Sequence, residues 1–153
     1  MLAIVRIRGL KHIRHDVKHT FMDFRLDRKN HCVLVKESPE TTGMLNKIKD
    51  YVAYGPVKAE TVAKLIEKRG RMEGDKKVSA DALKAHKLAS FTDLGKHIVE
   101  GKMTLEKAGI KPVFRLNSPK KGFARVGIKK PVSMKGDLGF HKDGVDELIG
   151  RMM

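Results

Sequence analysis

Apolar and charged residues alternate at period two along Val5-Arg6-Ile7-Arg8, behind the β-branched Ile4. This predicts a strand over residues 2–8, ended by Gly9. Asp16 can cap a helix running to about Lys29, because Val17, Phe21, Phe24 and Arg28 recur along one helical stripe. His31-Cys32-Val33-Leu34-Val35-Lys36 is a short apolar run that suits a buried strand. Ser38-Pro39 opens a turn, and Gly43 precedes a second helix on Met44/Leu45, Ile48 and Tyr51/Val52. Gly55-Pro56 must stop that helix, so a third strand is expected over Val52 to Val57. The order β-α-β-α-β predicts a small sheet with two helices packed on one face.

Beyond this core the pattern changes. Glu60 to Arg69 reads as an amphipathic helix with Val62, Leu65 and Ile66 inward, followed by a polar break. Ser79 and Thr92 are candidate caps for short helices over 79–86 and 92–100, and Thr104 for one turn ending at Gly109. Ile110 to Leu116 returns to strand character, and Asn117 to Gly122 is a basic turn. Residues 126–142 carry Gly127, Pro131, Gly136 and Gly139 and read mostly as loop. Asp143 to Arg151 can form a closing helix on Val145, Leu148 and Ile149. The expected fold class is α+β, organised as a core (1–58), a helical extension (59–109) and a basic strand and loop segment with its closing helix (110–153).

At 153 residues and 41% hydrophobic, the chain is long enough to bury a core without a disulfide or metal staple. Its one cysteine, Cys32, excludes an internal disulfide framework and a Cys-only zinc site. The amino terminus places apolar residues before its arginines, the reverse of a secretory signal, so a cytoplasmic setting is expected. No apolar run approaches the ~20 residues that span a bilayer.

Charge changes the picture more. With 33 Lys+Arg against 18 Asp+Glu, the formal net charge of +15 directs attention to polyanionic partners. Residues 110–136 hold 8 basic side chains and no acid. Such a stretch repels itself unless something negative lies against it. A second acid-free stretch runs from Arg6 to His15, and Lys47 and Lys49 add a smaller pair. Candidate nucleic-acid contacts are therefore Arg6, Arg8, Lys11, His12 and Arg14; Lys47 and Lys49; and Arg115, Lys120, Lys121, Arg125, Lys129, Lys130 and Lys135. Two tyrosines, six phenylalanines and no tryptophan argue for recognition of structured RNA by shape and backbone over base stacking.

Catalytic patterns find no anchor. A phosphate-cradling GxxxxGK[ST] loop is absent, and no GxGxxG follows a strand. Asp137, in Gly136-Asp137-Leu138-Gly139, lacks the companions of a magnesium-binding Asp and reads as part of a turn. His12, His15 and His19 lie among Lys11, Arg14 and Lys18, which disfavour a divalent ion. Cys32 beside His31 would point to the opposite strand face and reads as a small core residue. No enzyme activity, cofactor, metal, membrane or small-molecule substrate is expected.

Longer motifs carry a resemblance. They begin with Thr20-x3-Phe24-x-Leu26-x-Arg28-x2-His31-x-Val33, then ten residues, then Met44-Leu45-x2-Ile48-x2-Tyr51-Val52. With LAIVRIRG, TTGMLNKIKDYVAYG, LIEKRGR, FRLNSPKKGF and IKKPVSMKGDLGFH, these segments resemble the large-subunit ribosomal protein L-thirty family (L-seven in eukaryotes), in its longer archaeal form. Asn117-Ser118 stands where that family often has His-Pro. The resemblance implies an antiparallel sheet and a structural role in the large ribosomal subunit. It implies 23S rRNA as partner, 5S rRNA as a candidate neighbour, and contacts with adjacent large-subunit proteins. By resemblance, Thr42 joins Arg8, Lys11, Arg14 and Lys47 against the rRNA, and the loop from Arg115 to Arg125 follows. The alternative is a stand-alone structured-RNA-binding or RNA-chaperone protein on the same core.

Overall fold

Strand β1 (Leu2–Arg6) is buried at all five positions, because both its edges are paired and both its faces are covered. The computed structural model describes residues 1–78, 90–124, 127–142 and 144–153. β1 pairs antiparallel with β2 (His31–Val35), with Val5 opposite Cys32, and with β3 (Val52–Pro56), with Arg6 opposite Val52. β4 (Val113–Arg115) adds antiparallel to β2, and β5 (Gly139–Phe140) adds parallel to β3. The order is β4-β2-β1-β3-β5. The expected antiparallel core is present, and among the described strands β5 alone joins it in parallel.

Side-chain alternation along β1 divides the interior in two. Leu2 and Ile4 face a cluster with Val17, Phe21, Leu26, Leu45 and Ile48, supplied by α1 (His15–Asp23), α2 (Pro39–Ile48) and the turn after α1. This is the expected pair of helices on one face. Ala3, Val5 and Ile7 face a second cluster with Leu65, Ile66, Leu94, Ile98 and Ile149. Those come from α3 (Ala59–Arg69), α4 (Phe91–Val99) and α5 (Asp146–Met152). The helical extension thus covers the sheet's other face. α3 and α4 approach closely at Gly95, where an added Cβ would lie 2.6 Å from the Ala59 carbonyl oxygen.

Local chemistry moves several expected boundaries. α1 stops at Asp23 instead of reaching Lys29, because Arg25 takes a left-handed conformation at φ 56°. The N–H groups of Arg25 and Leu26 donate to the Met22 and Phe21 carbonyls, both at 2.8 Å, closing the helix in a Schellman arrangement. Arg28 therefore sits in a loop, outside the helical stripe. Arg14, not Asp16, is the N-cap of this helix, and Asp16 lies in its first turn. α2 begins at Pro39 and carries Gly43 inside it: Ser38 Oγ accepts from the Thr41 N–H at 3.1 Å, and Pro39 occupies the first turn, where its missing donor costs nothing. Ser90, rather than Thr92, caps α4. The helix expected over 79–86 lies outside the described residues, as does Asp143, the expected start of α5. β5 escapes a sequence reading because two residues amid glycines carry no periodicity.

A cationic side chain is sunk into this frame. Arg6 is 3% exposed; its Nη1 donates to the Leu26 carbonyl at 2.6 Å and its Nε to the Arg8 carbonyl at 3.0 Å. Its guanidinium lies 5.0 Å from the centre of the Phe21 ring, within cation–π range. Burial pulls its pKa below the ordinary value and Asp27 opposes the shift, but a guanidinium stays charged in a protein. Replacing it strands the Leu26 carbonyl without this donor. Arg6→Met is expected to lower unfolding free energy by about 2–3 kcal/mol in urea titration, the range for a lost charge-assisted bond. A variant as stable as the parent would show that Arg6 is dispensable to the fold.

Candidate nucleic-acid interface

The antiparallel register gathers the basic loops at one end of the sheet. Where β1 finishes, β2 and β3 begin and β4 ends, since Val5 faces Cys32, Arg6 faces Val52 and His31 faces Arg115. The loop leaving β1, the turn entering β2, the turn entering β3 and the turn leaving β4 thus converge. Hydrogen bonds tie them together. The Ile7 and Arg8 N–H groups both donate to the Tyr51 carbonyl at 3.0 Å, the Asn30 N–H donates to the Arg6 carbonyl at 2.7 Å, and the Leu116 N–H to the Asn30 carbonyl at 3.0 Å. Because β5 runs parallel to β3, with Ala53 opposite Gly139, the segment leading into β5 arrives at this end too.

Arg8 is half-buried: Nη1 donates to the Asp50 carbonyl at 2.9 Å and the guanidinium lies 4.8 Å from the Tyr51 ring centre. Lys11, His12 and Arg14 are exposed on the loop leaving β1. Lys47 and Lys49 are exposed where α2 ends. Exposed Arg115, Lys120 and Lys121 follow on β4 and its turn, which is pinned by the Lys120 N–H donating to the Arg151 carbonyl at 2.8 Å. Lys129, Lys130 and Lys135 are exposed in the segment before β5. Two candidates stand apart. Arg6 is interior, and Thr42 lies in the first turn of α2, where β2 has left the opposite end of the sheet, its hydroxyl donating to the Ser38 carbonyl at 3.0 Å. Arg125 is outside the described residues.

The fold adds cations that periodicity assigned to a helix. Arg25, Arg28 and Lys29 are exposed in the turn between α1 and β2, at the same end. Lys29 lies over the first loop, its Cε 3.1 Å from where a Cβ on Gly9 would stand. The sequence carries no signal for this turn, because its left-handed position is held by Arg25 and not by a glycine.

Most of this charge is unbalanced. Arg14 pairs with Asp16 at 3.0 Å and Arg25 with Glu106 at 3.1 Å, both exposed and weak. Arg115 and Lys111 share Asp75, whose carboxyl is held below its ordinary pKa by the Lys111 hydrogen bond and then by Arg115. Among the described residues, no carboxylate lies within ion-pair distance of Lys11, Lys49, Lys120, Lys121, Lys129, Lys130 or Lys135. Backbone strain collects here as well. His12, Arg25, Asn30, Lys121 and Lys135 all have φ between 55° and 67°, and of the described non-glycine residues only Asp75, the partner of Arg115 and Lys111, joins them in that conformation. Each costs roughly 1 kcal/mol that a glycine would avoid, and four of the five present a cationic or imidazole side chain.

Other chemistry is accounted for by structure. Asp137 is buried, and its carboxylate accepts from the Ala124 N–H. Burial pushes the Cys32 thiol up to about 12, far from a nucleophile's range. His15 and His19 meet edge to face, 4.4 Å between ring centres, and among the described residues no third ligand completes a metal set with them. No described helix is long and apolar enough to cross a membrane.

Comparison with known proteins follows the same direction. The family model described as ribosomal protein L30p/L7e matches residues 2–52. The chain is 39% identical over 151 residues to the large ribosomal subunit protein uL30 of Methanococcus maripaludis, covering 99% of this chain and 98% of that one. It is 42% identical to the protein of that name from Methanococcus vannielii, with the same coverage. For Nanoarchaeum equitans the identity is 38%, over 99% of this chain and 97% of the relative.

Burial and neighbouring cations act together on the His31 imidazole at this end. His31 Nδ1 is buried without a hydrogen-bond partner. Burial lowers the His31 pKa from 6.5, Arg115, Arg28 and Arg6 lower it further, and Asp27 opposes them. A histidine depressed in the folded state binds its proton more readily when unfolded, so its contribution is present above pH 6.5 and lost as pH falls below it. Urea midpoints are expected to fall between pH 7 and pH 5, and His31→Gln should make that fall shallower. An unchanged pH dependence in the variant would assign the acid response to other groups.

Proposed function

The chain belongs to the ribosomal protein L30p/L7e family, and on that premise we propose that it is a structural constituent of the large ribosomal subunit that binds 23S rRNA through its basic end. The observation that carries this reading is the convergence of exposed lysines and arginines, most of them with no acidic partner among the described residues, from several separate segments at one end of the sheet. No turnover is involved. Lysines and arginines neutralise phosphates and release condensed counterions, while the sheet fixes the spacing between them. The left-handed positions at His12, Lys121 and Lys135 hold the chain in tight turns that project these side chains outward.

Arg8 contributes through its brace on Tyr51 and Asp50, which sets the direction of the loop carrying Lys11 and Arg14. The turn with Arg25, Arg28 and Lys29 extends the same surface. The protein would reside in the cytoplasm on the ribosome, with other large-subunit proteins as neighbours and 5S rRNA as a further candidate contact. A stand-alone RNA-binding protein could use the same surface, but near full-length similarity to large-subunit proteins favours the subunit.

The test is a salt titration of binding to a 23S rRNA transcript. Lys11→Ala with Arg14→Ala is expected to weaken binding and to flatten the log–log salt slope by up to about two, near one per lost phosphate contact. An unchanged slope would remove this loop from the phosphate contacts.

A further inference from the structure

The basic surface includes a cleft of a different character. Between the end of α2, the edge strand β5 and the segment that precedes it lies a cleft of about 480 Å³, within the range of ligand pockets. Its aromatic side is the pair Tyr54 and Phe140, opposite each other in the β3–β5 register, with ring centres 5.6 Å apart. Phe140 is 51% exposed, an unusual state for a phenylalanine on a strand. Lys49 and Lys129 stand on the cleft's lining with Asn46, and Asp50 is the one carboxylate there.

The mount is firm. The Val132 N–H donates to the Leu138 carbonyl at 2.9 Å, the Gly136 N–H to the Pro131 carbonyl at 3.0 Å, and the His141 N–H to the Tyr54 carbonyl at 2.8 Å. Gly55 packs so tightly under this segment that an added Cβ would stand 2.5 Å from the His141 carbonyl oxygen. Two lysines beside an exposed aromatic ring and a side-chain amide form a set that one ligand class satisfies fully. The ring offers a stacking face, the ammonium groups meet phosphates, and the amide can read a base edge.

Resting on the RNA-binding reading above, we propose that this cleft receives a single unpaired nucleotide of the RNA, its base stacked on Phe140 and its flanking phosphates held by Lys49 and Lys129. The protein then combines a general electrostatic footing with one site that distinguishes an extruded base from a paired one. Burial raises the Tyr54 hydroxyl above its ordinary pKa, keeping it a neutral donor beside the stack. Ile128 and Met134, also exposed and apolar, lie in the same part of the chain and make a protein partner the competing occupant. The flanking lysines favour RNA.

The chain contains no tryptophan, so Phe140→Trp in the full-length protein places a single fluorescent reporter on the site. The probes are an RNA hairpin with a one-nucleotide bulge and the fully paired hairpin of equal length. The bulged RNA should quench the tryptophan strongly and the paired RNA weakly. Phe140→Ala should weaken binding of the bulged RNA roughly tenfold, the scale of one lost stacking contact, and leave the paired RNA and the salt slope unchanged. Because Phe140 is half exposed, the fold should tolerate the change, and Phe140→Trp should retain the preference for the bulge. Equal quenching by both RNAs, or unchanged bulge binding by Phe140→Ala, overturns the stacking site and leaves the cleft to a protein neighbour. Failure of the parent protein to bind either RNA would instead overturn the RNA-binding reading, and this proposal with it.

Discussion

The burial of β1 on two faces and two edges is the constraint from which the rest of the structure follows. A five-residue strand buried this way needs a hydrogen-bonded partner on each side and a covering layer above and below, and here both partners are antiparallel and both layers helical. The pairings with β2 and β3 use its backbone groups, and the two clusters use its alternate side chains. Antiparallel pairing on both edges has a topological consequence. Each connection that enters or leaves at the end of β1 is forced into the same neighbourhood, so residues distant in sequence become one surface.

Charge is distributed over that surface according to a physical division. Arg6, the one deeply buried cation among the described residues, is held by two backbone carbonyls and an aromatic face. It holds the turn after α1 against the end of β1, and that turn carries Arg25, Arg28 and Lys29. The exposed cations around it have few acids to meet. An arrangement of this kind raises the free energy of the isolated protein through self-repulsion and lowers it when a polyanion is docked. The left-handed residues in the same loops add a further local cost that a purely structural loop would shed by using glycine.

Much of this organisation was legible in the chain. Alternation identified β1, a short apolar run β2, the Gly55-Pro56 stop β3 and helical periodicity α3, and the acid-free stretches identified many of the exposed cations at the basic end of the sheet. What escaped has physical causes. Arg6 and Arg8 are equivalent in an alternating pattern, and only the position of the Leu26 carbonyl makes one interior. The end of α1 depends on a left-handed Arg25, which propensity does not anticipate. β5 has two residues and is defined by what it pairs with. Phe140 falls in a stretch that reads mostly as loop until the register sets it beside Tyr54, on the cleft that Lys49 also lines. Thr42, suggested by resemblance alone, stands apart from the cluster because α2 begins where β2 has already left the opposite end.

As a structural constituent of the large subunit, this molecule would be a fixed part of a ribonucleoprotein. Sucrose-gradient sedimentation of the tagged protein from its own cells, in high salt and with or without RNase, separates that state from a free protein. Stoichiometric co-migration with the large subunit, abolished by RNase, is the predicted result. Migration at the top of the gradient as a free small protein, with or without RNase, would contradict it.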